Sequence, residues 1–324
     1  MKRILSFLLL LSLCLVLFPG CSFLSEELKL CNVNFYVDGE IYTTKTVALG
    51  QTVGMPKNPE KENCVFVGWY ASGLISQSVY DFSSKVLTDL NLYASFAPDT
   101  LKVGNYIAQN TLKSTVKIIA KSYNVYPGSV VESKSATSQG SGVIIDISGG
   151  YCYVLTNAHV VEKREDYSKL QIFVEDAFGN SYEASIYKNS SKSTSAFSKD
   201  FDLALLCFKL PEEYSFSEIV LGEDPKVDDC VVSIGNPDAL INVVTYGNVL
   251  VYQQVKGEEG SAADLIDFDV IIHNTPIDHG SSGGALVDIY GKLVGLNFAG
   301  YESKAYGCAI PVSKIRDFLT VYVY

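Results

Sequence analysis

The sequence predicts a mainly β protein, in which a small β-rich module precedes a larger unit of paired β-barrels that ends in one helix. Three observations carry this. Apolar and polar residues alternate in short runs, turn-forming Gly, Pro, Asn and Asp punctuate those runs, and one stretch alone has convincing helical periodicity. With 324 residues the chain is long for a single domain, and 48% hydrophobic against 19% charged residues supplies ample material for a core. The 21 tyrosines suit half-buried sheet surfaces. A net charge of −11, with no basic run after the first three residues, excludes the electrostatic footprint of a nucleic-acid binder.

Lys2 and Arg3 precede an apolar run from Ile4 to Phe18, too short and too one-sided for a membrane span and expected to be an export signal. It ends in Phe18-Pro19-Gly20-Cys21, which resembles a bacterial lipobox, although Phe18 and Pro19 depart from the usual Leu and small residue. Residues 1–20 are thus expected to be removed, Cys21 to carry a lipid, and residues 21–30 to tether the chain to the membrane from the cell envelope. Ordinary cleavage near Gly20, with Cys21 an incidental thiol, is the other reading.

Residues 31–98 form the small module. Asn34 to Val37 lead into Asp38-Gly39, a hairpin dipeptide; Ile41 to Val47, a turn at Leu49-Gly50-Gln51, a Pro56 to Pro59 stretch, Val65 to Tyr70 and Leu90 to Phe96 follow. Gly68-Trp69-Tyr70, Tyr80-Asp81-Phe82 and Asp89 to Ala94 resemble the Listeria-Bacteroides (internalin B-type) repeat, present in one copy. Trp69, the single tryptophan, is expected to anchor this core, and the module could meet a cell-wall or protein partner.

Residues 99–110 read as a linker, and residues 111–324 as the larger domain, entered by a strand or short helix from Thr111 to Ala120. Strand patterns follow at Gly142 to Ile147, Tyr151 to Thr156, Leu170 to Val174, Tyr182 to Tyr187, Asp202 to Phe208, Val231 to Ile234 and Leu265 to His273. The Ser- and Lys-rich insert from Lys188 to Lys199 reads as a mobile surface loop. Pro311 to Leu319 reads as the helix, with Val312, Ile315, Phe318 and Leu319 on one face. Of eight cysteines, Cys14 and Cys21 belong to the N-terminal segment; Cys31 and Cys64 share the module, so a bond between them is expected, while Cys152, Cys207, Cys230 and Cys308 read as buried small hydrophobes. None shows a C-x-x-C spacing, so no metal is expected.

Three segments carry chemistry: Thr156 to Val160, Asp202 to Leu206, and Gly280 to Leu286. A serine hydroxyl becomes a competent nucleophile when a histidine takes its proton and a carboxylate fixes that histidine's tautomer. Of the three histidines, His273 and His279 lie close before Ser282 in sequence, whereas His159 ends an apolar strand where a loop can present it to a cleft. Asp202 opens the apolar run; Asp200 shares its strand face, and spacing alone does not separate the two. Ser282 is followed by Gly-Gly and preceded by Gly two residues earlier, which favours it over Ser281. The amides of Gly280 and Ser282, with Ser281 as a further contributor, are expected to form an oxyanion hole. The same residues satisfy G-x-S-x-G, but that architecture needs a histidine after the serine and none follows Ser282.

The order His159, Asp202, Ser282, together with Gly140 to Ile145, Gly235-Asn236-Pro237, Tyr246 to Val249, Gly291 to Asn297 and Gly307 to Pro311, resembles the trypsin-like serine proteases of the HtrA/DegP group over residues 120–320. The resemblance implies a chymotrypsin-like double β-barrel with the triad in the cleft between barrels, and endopeptidase action on unfolded or envelope proteins without a cofactor. It also implies the possibility of homo-oligomers. Ser281 stands where digestive zymogens carry Asp, His279 where the group commonly has Pro, and the chain stops soon after its terminal helix, so no PDZ module is expected. Pro276 and Ile277, with Phe298 and Cys308 as walls, are the expected substrate pocket; no acidic residue stands there, so small or medium apolar side chains are expected at the cleaved position. A different class of function, a surface adhesion or scaffolding lipoprotein with a vestigial protease fold, is the competing reading.

Overall fold

The computed structural model describes residues 28–71, 78–191, 194–237, 240–256, 266–301 and 306–324. The expected signal segment and Cys21 lie outside the described residues. The module is a four-stranded sheet in the order β2-β1-β4-β3, built from β1 (Leu30–Val37), β2 (Glu40–Ala48), β3 (Cys64–Tyr70) and β4 (Leu90–Pro98). Asp38 and Gly39 both take positive φ, 49° and 84°, the backbone that lets a two-residue turn follow the twist of the β1–β2 hairpin. Period two sends Cys31, Val33 and Phe35 inward to meet Leu92 and Trp69, and Phe35 stands edge-on to the Trp69 ring at 4.9 Å.

The expected Cys31–Cys64 bond is not formed. Cys31 points into the module core, while Cys64, at the first position of β3, faces out of it and lies with its sulfur 3.4 Å from that of Cys230. The expected linker is instead a helix, α1 (Thr100–Asn110), capped by the Asp99 carboxylate, which accepts from the Lys102 amide at 3.2 Å. Its periodicity is thin because Val103 and Ile107 are its only buried residues, and it carries a glycine: a Cβ at Gly104 would stand 2.6 Å from the Tyr246 hydroxyl.

After a 3-10 turn (Leu112–Ser114) comes the first barrel: β5 (Thr115–Val125), β6 (Glu132–Ser148), β7 (Tyr151–Thr156), a helical turn α2 (Ala158–Val161), β8 (Lys169–Glu175) and β9 (Ser181–Ile186). The expected mobile insert holds three short strands, β10 (Lys188–Asn189), β11 (Thr194–Ser195) and β12 (Phe197–Ser198), and buries Ala196 completely, so its polar composition misled. The last strand is β13 (Leu203–Lys209); it pairs with both β7 and β9 and thereby closes a ring of six, β13-β7-β6-β5-β8-β9. Every strand of that ring feeds its interior, with Ile118, Ile144, Val154, Val174, Ala184 and Leu206 among the residues that meet there.

The second barrel is closed in the order β14-β15-β16-β19-β18-β17, from β14 (Cys230–Gly235), β15 (Val243–Gln253), β16 (Val270–His273), β17 (Ala285–Asp288), β18 (Leu293–Tyr301) and β19 (Tyr306–Pro311). The strand expected over Leu265 to His273 begins at Val270. One residue from each strand, Val231, Val249, Ile271, Leu286, Val294 and Ala309, fills the interior. Alternate residues of the same strands face the other way into the largest core. That core joins Val143, Leu155 and Leu205 of the first barrel, Phe96 of the module, Ile107 of α1, and Ile315, Phe318 and Leu319 of the terminal helix α3 (Val312–Tyr322). The expected amphipathic face of this helix is the face it buries.

Candidate active site

His159 sits in the short turn α2 directly after β7, a third of its side chain open to solvent. Asp202 directly precedes β13, the neighbour of β7, so pairing of the two strands brings the residues together although 43 positions separate them. The Asp202 carboxylate is 2% exposed; its Oδ2 lies 2.7 Å from His159 Nδ1 and its Oδ1 accepts the His159 amide at 2.9 Å. One carboxylate therefore orients both the ring and the backbone of the histidine. Asp202 takes φ 48°, a left-handed conformation that Asp tolerates better than most residues, and its carbonyl is held by the Ala158 amide and the Asn157 side chain at 3.1 and 2.9 Å. Asp200, the rival in the sequence, is exposed.

The serine turn belongs to the second barrel. The Ser281 amide donates to the Asp278 carbonyl at 2.9 Å and the Ser281 hydroxyl accepts from the Asp278 amide at 3.2 Å. The Ser281 amide is therefore committed to a tight turn and withdrawn as an oxyanion donor, and its side chain is buried, whereas Ser282 is partly open. Among the described residues, the amides of Gly280 and Ser282 have no protein acceptor, as donors reserved for a ligand oxygen would be. Gly280 takes φ 95° and Gly283 φ 81°, and a Cβ at Gly283 would lie 2.1 Å from the Ser141 carbonyl, so the turn admits no side chain there. The Ser282 hydroxyl donates to the Phe298 carbonyl at 3.2 Å; no hydrogen bond joins it to His159 among the described residues. The two segments nevertheless converge on Gly140, where a Cβ would be 2.7 Å from the Val160 side chain and 3.0 Å from the Ser282 carbonyl.

Ser141 ties the halves together, and reading the residues one at a time missed it. Its amide donates to the Ser282 carbonyl at 2.7 Å, its hydroxyl donates to the Gly280 carbonyl at 2.7 Å and accepts the Asn236 amide at 2.8 Å, and its carbonyl accepts the Thr156 hydroxyl at 2.7 Å. Asn297 holds the serine turn from within the second barrel: the Gly283 amide donates to its carbonyl and its own amide donates to the Gly284 carbonyl, at 2.8 and 2.9 Å. Behind it runs a buried polar layer in which the Asn297 side-chain amide donates to Ser233 at 2.7 Å, while its Oδ1 meets His273 Nε2 at 3.1 Å. Thr275 Oγ1 lies 2.6 Å from His273 Nδ1. An amide oxygen on one ring nitrogen and a hydroxyl on the other fix a neutral imidazole that donates from Nε2. Complete burial pushes the His273 pKa down to about 4. The signal for Asn297 was a polar residue at an inward place in an apolar strand, whereas Ser141 stands among polar residues and glycines.

Of the expected pocket residues, Ile277 is half-buried and adjoins the bare backbone of Gly300 and Gly307, where a Cβ would approach it to 3.3 and 2.8 Å. Pro276 is exposed, its carbonyl held by the Thr245 hydroxyl at 2.8 Å. Phe298 and Cys308 do not wall this space as expected: strand alternation turns both side chains into the core between the barrels, and Phe298 borders the site through its carbonyl. His279 is exposed, with its amide held by the Asp278 carboxylate at 2.7 Å. No cluster of metal-ligating side chains occurs among the described residues.

Residues 140–296 match the model of the trypsin-like peptidase domain, and residues 32–95 that of the Listeria-Bacteroides repeat domain. Serine protease HTRA1 of Xenopus tropicalis is 34% identical over 182 residues, which is 56% of this chain and 35% of that protein. The probable serine protease do-like of Buchnera aphidicola is 33% identical over 198 residues, 60% of this chain and 37% of the relative. The chain thus spans little more than a third of the length of these curated relatives. Among solved structures, the active form of the Rv3671c protease from M. tuberculosis aligns with a TM-score of 0.53 at 22% identity, covering 70% of this chain and 88% of that one, and shares the chymotrypsin-like double barrel.

Proposed function

From a chain that carries a trypsin-like peptidase domain behind a Listeria-Bacteroides repeat, we propose a serine endopeptidase of HtrA type that cleaves protein or peptide substrates through an acyl-enzyme. The observation that carries it is the buried Asp202 carboxylate bonded to His159 Nδ1 at 2.7 Å, at the seam where Ser141 grips the Ser282 turn. With Nδ1 occupied, Nε2 of His159 is the nitrogen left for the serine proton. Rotation of the Ser282 side chain away from the Phe298 carbonyl releases its hydroxyl for attack on the scissile carbonyl. His159 takes the proton and returns it to the leaving amine, the free amides of Gly280 and Ser282 receive the oxyanion, and water repeats the sequence to release the acyl group.

Replacing Ser282 by Ala should leave the fold intact and lower casein hydrolysis by at least about a thousandfold. Hydrolysis surviving that change, or failure of a fluorophosphonate to label Ser282, would return the chain to the adhesion or scaffolding reading. Ile277, Gly300 and Gly307 adjoin one another and carry no charge, which supports cleavage after small or medium apolar residues. A peptide library is expected to show that preference, and dominant cleavage after Lys or Arg would refute it. The N-terminal sequence supports export and lipid anchoring at Cys21, and unfolded or envelope proteins are the corresponding substrates.

A further inference from the structure

Cys64 and Cys230 come from different units and are 166 positions apart, yet their sulfurs lie 3.4 Å from each other. No other pair of sulfurs lies within hydrogen-bond distance among the described residues: Cys31, Cys152 and Cys308 are buried apart, and Cys207 meets the Ser185 hydroxyl at 3.7 Å. We propose that Cys64 and Cys230 are the site of a disulfide that covalently fastens the repeat module to the second barrel.

The surroundings hold the pair in place. Each cysteine opens a strand, β3 for Cys64 and β14 for Cys230, so both are carried on hydrogen-bonded backbone. Asn248 donates to the Phe96 carbonyl of the module at 2.9 Å and to the Asp228 carbonyl at 3.0 Å, and its side-chain nitrogen lies 3.6 Å from Cys230 Sγ. Lys61 pairs with Asp229 at 3.7 Å, and the Tyr290 hydroxyl donates to Glu62 at 3.0 Å. The 3.4 Å between the sulfurs exceeds the bonded separation of about 2 Å, so the bond forms as the two sulfurs move together. Access is open: Cys64 is half-buried, and Cys230 and Lys61 both line a cleft of about 540 Å³ at the interface.

The two thiols differ in the sense that exchange requires. The neighbouring Cys230 thiol, with help from the Lys61 ammonium, holds Cys64 below the ordinary thiol range, whereas Cys230 is pushed up by Cys64 and by burial. Cys64 thiolate therefore attacks one sulfur of a low-molecular-weight disulfide and expels a thiolate, which leaves a mixed disulfide. Cys230 then gives up its proton and its sulfur attacks that of Cys64, expelling the second thiolate. Two protein thiols become one S–S bond, and the reagent is reduced to two thiols. The export proposed above would place the pair where such bonds persist.

The test uses the full chain, purified reduced, incubated with oxidised glutathione, alkylated and digested without reduction. The expected result is a linked peptide pair containing Cys64 and Cys230, and an unfolding midpoint raised by roughly 5–15 °C that a reductant reverses. Cys64→Ser and Cys230→Ser should each abolish the reversible shift. Recovery of both cysteines as alkylated thiols or as separate glutathione adducts, or of Cys64 joined to Cys31, would overturn the proposal, and this map is read on the natural chain whether or not a variant folds. Fluorophosphonate labelling of the same sample reports Ser282 separately, so failure of the cross-link and failure of the protease reading are distinguishable.

Discussion

At the scale of the residue, Asp202 bears more than one duty. Its carboxylate fixes the ring and the amide of His159, and its left-handed backbone is what turns the carboxylate toward them. Asp202→Asn should keep the fold and lower kcat by about ten-thousandfold, because an amide in that place favours the wrong histidine tautomer; steady-state kinetics on a peptide substrate would check it. The pairing of His159 with Asp202 was legible because few histidines exist to choose from and each residue sits in a recognisable run. The roles of Ser141, Asn236 and Asn297 are not legible in the sequence, since a hydrogen bond to another segment's backbone leaves no period there. Ser281 illustrates the converse: its amide looked available until the Asp278 turn claimed it.

At the scale of the element, the strands were legible in proportion to their alternation. β7, β8 and β13 were placed closely, whereas α1 was read as a linker because a helix burying two side chains hardly differs from polar chain. The insert between β9 and β13 failed in the other sense, its Ser and Lys being the outward half of short paired strands. Within the second barrel, the layer of Thr275, His273, Asn297 and Ser233 has a testable cost. His273 is neutral in the fold, with a pKa about 4 against an ordinary 6.5, so the unfolded chain binds the extra proton between those values. Stability should therefore be intact above pH 6.5 and fall as pH drops toward 4, by about 3 kcal/mol from this group. Urea unfolding at several pH values, compared with His273→Gln, should show the part of the slope in that window that the variant lacks.

At the scale of the whole molecule, the module is packed as a third body rather than strung ahead of the barrels. Phe96, Ala94 and Phe66 share one core with Val232 and Cys230, and Asn248 of β15 bonds the Phe96 carbonyl. Removing residues 1–98 should lower the unfolding midpoint of the remaining barrels by several degrees, since that apolar face would meet water; calorimetry of the truncated and full chains would decide. The turn dipeptides and strand runs of the sequence point to two units, but no local pattern reports which faces of two separate units fit together. That knowledge came from contacts such as Lys61 with Asp229.

Ser141 is rooted in a strand of the first barrel, yet it grips Gly280, Ser282 and Asn236, all of the second. It works as a dowel through two halves, so any slippage of one half on the other is felt first where chemistry would occur. A molecule assembled this way idles the moment its halves fall out of true, long before either comes apart.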